Sequence, residues 1–184
     1  MSLDVAKIKW DEYDMGTIDL LVPLFGKEVE FTFYTQDNPR VISDKVKHAV
    51  AQVQALSSDN LAQVKDLLLE NAQFCFEVTD YGAPRKDGET HLDATKRLFG
   101  IYTAEDAYSK STLKSIHIDA KMDEMTGTYA SLVFETFNRE LIHIIAKNGR
   151  IIDYHDDGGW IGTYEDDDRT SHKMRQDTLE DGAP

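Results

Sequence analysis

The densest polar run in this 184-residue chain is Asp153-Tyr154-His155-Asp156-Asp157-Gly158-Gly159-Trp160. Its carboxylates match the forks of arginine and lysine, while tyrosine and tryptophan supply large contact area. Asp153, Tyr154, Asp156, Asp157 and Trp160 are therefore candidate partner-binding residues, on a loop turned at Gly158-Gly159. The run is not a calcium loop, because it lacks the alternating carboxylates and terminal glutamate of an EF-hand. A second constellation is His117, Glu135 and His143. On neighbouring strands these would bring two imidazoles and a carboxylate together, a set suited to zinc or another transition metal. Both faces of the His143 strand are partly apolar, so hydrogen-bonded structural histidines are the preferred reading and no metal is assigned. Cys75 lies between Phe74 and Phe76 on an apolar helical stripe and reads as an inert thiol. There is no Gly-rich phosphate loop and no Gly-x-Ser-x-Gly elbow. The sequence therefore offers no catalytic residues and no cofactor.

The charge balance narrows the partners. Thirty-four acidic residues against 20 lysines and arginines give a formal charge of −14. Such a field repels nucleic-acid phosphates and anionic membranes and steers basic proteins inward. Acidity also serves solubility alone, so charge does not by itself define a partner. No apolar run reaches the roughly 18 residues of a membrane span. The start lacks the basic and apolar stretches of a secretory signal, and a single cysteine cannot form an internal disulfide. The expectation is a cytoplasmic protein.

These residues need elements to position them. Ile8 and Trp10 suit a short leading strand. Thr17–Leu24 and Glu28–Thr35 alternate apolar and polar residues about Phe25-Gly26-Lys27, which predicts a hairpin. Ser43 is a candidate N-cap for a helix carrying Val46, Ala49, Val50, Val53 and Leu56. After Ser57-Ser58-Asp59-Asn60, a second helix aligns Leu61, Val64, Leu67, Leu68, Ala72 and Cys75. The pair reads as an αα-hairpin packed on a sheet. Thr79–Lys96 reads as a long surface loop. Thr103 and Asp106 open a short helix, followed by strands at 113–120, 129–137, 141–147 and 150–154. Asn148-Gly149 is a tight-turn signal between the last two.

From Glu165 the apolar pattern stops. Residues 165–184 carry seven acids and three bases, and they read as a flexible acidic tail on a single domain of residues 1–164. The fold class expected is α+β: a mainly antiparallel sheet, formed by the N-terminal hairpin and a C-terminal meander, with the helical hairpin on one face. Hairpins at both ends leave little room for parallel crossovers.

Three stretches are familiar in combination: Ile18-Asp19-Leu20-Leu21-Val22-Pro23-Leu24-Phe25-Gly26-Lys27-Glu28-Val29-Glu30-Phe31; Ile101-Tyr102-Thr103-Ala104-Glu105-Asp106-Ala107-Tyr108 leading to Ser115-Ile116-His117-Ile118; and Leu132-Val133-Phe134-Glu135-Thr136-Phe137 with Lys147-Asn148-Gly149-Arg150-Ile151-Ile152. In this order they resemble a family of uncharacterised bacterial α+β domains, some of which occur near polymorphic-toxin and immunity genes. The resemblance spans roughly residues 17–162 in pattern. It implies an immunity or accessory role and no catalytic residues. The Lys86–Leu98 stretch and the acidic tail depart from the family pattern. The expected function is thus a non-enzymatic protein that binds a basic partner, with a metal-dependent enzyme or a structural adaptor as alternatives.

Overall fold

The computed structural model describes residues 3–35, 39–156 and 161–181. Seven strands form one sheet in chain order: β1 (Lys9–Trp10), β2 (Met15–Val22), β3 (Lys27–Tyr34), β4 (Thr112–Asp119), β5 (Tyr129–Glu135), β6 (Leu141–Lys147) and β7 (Arg150–His155). The fold class is α+β, as the alternation of the strands and the helical stripes predict. Five of the six pairings are antiparallel; β3 and β4 pair in parallel. That parallel joint is a crossover of the kind for which the end hairpins were expected to leave little room. The helical segment 44–109 leaves β3 and returns the chain beside it, so the N-terminal hairpin and the C-terminal meander fuse into one sheet.

Each hairpin has a local cause. Pro23 ends β2 and starts a single 3-10 turn, and Gly26 closes that turn at φ 62°. Asn148 and Gly149 both take positive φ, 51° and 73°, the conformation a two-residue hairpin turn requires. At the sheet's first edge Gly16 admits the Trp10 ring, since a Cβ there would stand 2.7 Å from it.

The helices α1 (Asp44–Gln54) and α2 (Ser58–Val78) cover one face. The Ser43 side chain caps α1 by accepting from the Val46 amide. Val46, Ala49, Val50 and Val53 of α1, and Val64, Leu67, Leu68, Ala72 and Phe76 of α2, are buried with Phe31, Phe33, Ile116, Ile118, Leu132 and Ile144 of the sheet. Each large side chain of this kind contributes about 1.5–3 kcal/mol of burial free energy. The short helix α4 (Ala104–Ser109) starts at the predicted Thr103–Asp106 capping box.

Two segments differ from the sequence reading. Within the stretch read as a loop, His91–Phe99 forms a helix, α3, capped by Thr90. It buries Ala94 and Thr95 fully and packs Leu92 and Phe99 against the core, but it follows directly on the Gly- and Pro-containing stretch that reads as a loop. An Arg97–Glu89 fork with both N···O distances 2.8 Å ties it to the preceding turn. The segment read as a flexible tail contains α5 (Thr170–Asp181), which packs on β7 and α2. Its docking is polar, through Arg175 and Ser171, and a hydrophobic pattern cannot register it.

Candidate functional site

Asp153 and Tyr154 do not present themselves to a partner. Both are fully buried. Ile145 pairs with Asp153 while Ala146 pairs with Ile151, so Ile152 is an extra residue on β7. This bulge shifts the alternation by one and aligns Tyr154 with Ile144 on the helix-covered face. Arg175 of α5 then closes over β7. Its guanidinium stands 2.7 Å from Asp153 Oδ1 and 2.7 Å from Glu70 Oε1 of α2, and donates to the Tyr154 carbonyl at 2.7 Å. It also stacks 3.5 Å over the Tyr154 ring. The second Asp153 oxygen accepts from the His172 amide at 2.9 Å. Burial pushes the Glu70 carboxyl up, but hydrogen bonds from His172 and Arg175 and the charges of Arg175 and Arg169 outweigh it, holding the group below its ordinary value. This polar knot is spent on fixing α5 along the outer edge of the sheet. Asp156 is exposed, whereas Asp157 and Trp160 lie outside the described residues.

The other sheet face is a different surface. Register places Thr17, Asp19 and Leu21 of β2, Glu28, Glu30, Thr32 and Tyr34 of β3, Ser115, His117 and Asp119 of β4, and Ser131, Val133 and Glu135 of β5 on the side away from α1 and α2. The chain after β7 crosses one end of this face. There Glu165 accepts hydrogen bonds from the Thr126 amide and hydroxyl, the Gly127 amide and the Tyr129 hydroxyl. Lys147 ties down Asp168 at 2.8 Å. Hydrogen bonds from Thr126 and Tyr129 bring the Glu165 carboxyl down to about 2. Over β2 and β3 this face presents Asp19, Leu21, Glu28 and Glu30 as exposed side chains, while Thr32 at its middle is buried.

At the middle of this face lies a row of rings. Tyr34 and His117 meet edge-on with centroids 5.4 Å apart, and His117 and His143 at 5.7 Å. Ser115 Oγ lies 2.9 Å from His117 Nε2, and Ser131 Oγ lies 2.8 Å from His143 Nδ1. Burial, with the charge of His143 next, lowers His117 to about 4, so its ring is neutral at physiological pH. Burial, then Asp119 and Glu30, raises the Tyr34 hydroxyl. The two predicted histidines therefore do converge. Glu135 does not join them, because it pairs with Lys114 at 3.1 Å. Among the described residues no three histidine, cysteine or acidic side chains gather closely enough to hold a metal ion.

Cys75 is half-buried, and burial raises its thiol to about 11, so it is a poor nucleophile. A cleft of about 340 Å³ runs between α2, α3 and α5, with Glu77, Leu92 and Lys96 on its walls. Glu70 and Arg175, which also line it, are already paired with each other. No described helix is long and apolar enough to cross a membrane.

The sequence reading placed its candidate site on the 153–160 loop and did not single out Tyr34, Glu30 or Asp119. Their signal was present in the Glu28–Thr35 alternation, whose polar members had to occupy one face. What was missing was the parallel pairing that sets Tyr34 beside Asp119 and Thr32 beside His117. No family model, curated protein or solved structure matches the chain.

Proposed function

We propose that this protein is a non-enzymatic binding protein that holds and masks a basic protein, in the manner of an immunity protein covering a toxin. The observation that carries this reading is the open sheet face. Over β2–β4 it carries Asp19, Glu28, Glu30 and Asp119, while the one β4 cation on it, Lys114, is occupied by Glu135. Carboxylates fixed on rigid strands in an acidic molecule form a surface complementary to a cationic one, and they raise the rate of encounter as well as specificity. A toxin acting on nucleic acid must display basic groups to phosphate, and those groups are what such a face would cover. Leu21 and Leu141, both exposed, add apolar contact at two margins of the same face.

The test is a calorimetric titration with the basic protein encoded beside this one. A one-to-one complex is expected, weakened at least about tenfold by the Asp19→Lys, Glu30→Lys double variant. Asp156→Lys serves as the control for the loop after β7. Equal affinity for the wild type and the double variant would remove the sheet face from the interface. No binding of the wild type would remove the reading.

A further inference from the structure

We propose that the Tyr34–His117–His143 row receives an arginine side chain of the partner, with Asp119 and Glu30 as its flanking carboxylates. This rests on the binding function above and names the group that the face recognises.

The register supplies the geometry. Asp119 lies level with Tyr34 across the parallel pair, His117 level with Thr32, and Ser115 level with Glu30. Each carboxylate is thus displaced by two residues from His117 along its strand, roughly 6–7 Å. A guanidinium set against one ring of the row has a carboxylate on either side of it along the strands.

The chemistry favours arginine over lysine. A guanidinium is flat, stacks on aromatic faces, is weakly hydrated and offers a fork of N–H donors to carboxylates. An ammonium is compact and keeps its water. Each ring in the row is held in place: Ser115 anchors His117, Ser131 anchors His143, and the Tyr34 hydroxyl lies 3.4 Å from His117 Nδ1. The neutral His117 ring does not repel an incoming cation. The only lysine on this stretch of β4 is engaged by Glu135 and does not compete for Asp119. The same protein already contains the arrangement internally, where Arg175 lies on the Tyr154 ring and forks between Glu70 and Asp153.

The experiment titrates the isotope-labelled full chain with hexa-arginine and, separately, hexa-lysine, following the ring resonances of Tyr34, His117 and His143 by NMR. Hexa-arginine is expected to shift the Tyr34 and His117 rings and to saturate at roughly five- to tenfold lower concentration than hexa-lysine. Asp119→Asn and Tyr34→Leu should each remove most of that preference, while Tyr34→Phe, which keeps the ring, should retain it. Equal responses to the two peptides at this face would overturn the arginine assignment and leave the binding function standing. Shifts confined to other acidic surfaces would overturn the assignment and also count against the sheet face as the binding surface.

Discussion

Arg175 is a side chain that ties α5 to both β7 and α2. Its guanidinium is only 6 % exposed and is shared between Glu70 and an Asp153 that is 0 % exposed. Removing it strands a buried carboxylate with no cation, and that residual charge dominates the loss. Arg175→Ala is therefore expected to destabilise the fold by about 3–5 kcal/mol in urea denaturation. Arg175→Lys should recover little, because a single ammonium cannot reproduce the fork and the stack together. The same knot sets an acid limb. Glu70 is held below its unfolded value, so its stabilising share is complete above the unfolded value and fades as pH falls through the folded one. Melting temperatures measured as the solution is acidified should fall less steeply in Glu70→Gln, which starts from a lower plateau. A wild-type melting temperature indifferent to Arg175→Ala would show that the knot is not what holds α5.

Strand edges explain why α5 matters. The outer edge of β7 presents unpaired carbonyls; Arg175 satisfies that of Tyr154, and Arg169 lies 3.4 Å from that of Ile152. At the opposite edge β1 covers only two residues of β2, and Gln54 donates to the Leu21 carbonyl at 3.0 Å. Both edges are thus blunted against pairing with another chain. Truncation after residue 165 should lower the melting temperature by several degrees and yield concentration-dependent oligomers in light scattering. An unchanged, monomeric truncation product would mean that the edge protects itself. The sequence could not reveal this element, because α5 docks by charge and carries almost no apolar stripe. Elements with a two-residue or helical apolar rhythm were legible: β2, β3, α1, α2, β6 and β7. The bulge at Ile152 was not, since one extra residue leaves no compositional mark and yet turns Tyr154 from the outer face to the core. Likewise the pairing of β3 with β4, 78 residues apart at their closest ends, is a tertiary choice. It creates the ring row from residues that are unremarkable in sequence.

Across the whole molecule, a charge of −14 is a standing cost. Like charges on a compact body repel one another, and that repulsion is relieved by unfolding. Asp19, Glu28 and Glu30 form part of this excess, exposed on the open face. Salt weakens exposed ion pairs, such as Lys47–Asp44, and screens the net repulsion as well. With acids outnumbering bases by 14 the second effect should win. The melting temperature of the free protein should therefore rise by a few degrees between low and moderate salt. The Asp19→Lys, Glu30→Lys variant should melt higher than wild type at low salt and gain less from added salt, while losing its partner. That combination would mark the face as one where stability is given up for binding. If the variant melts lower than wild type instead, those carboxylates support the fold, and their exposure on one face is not the signature of an interface.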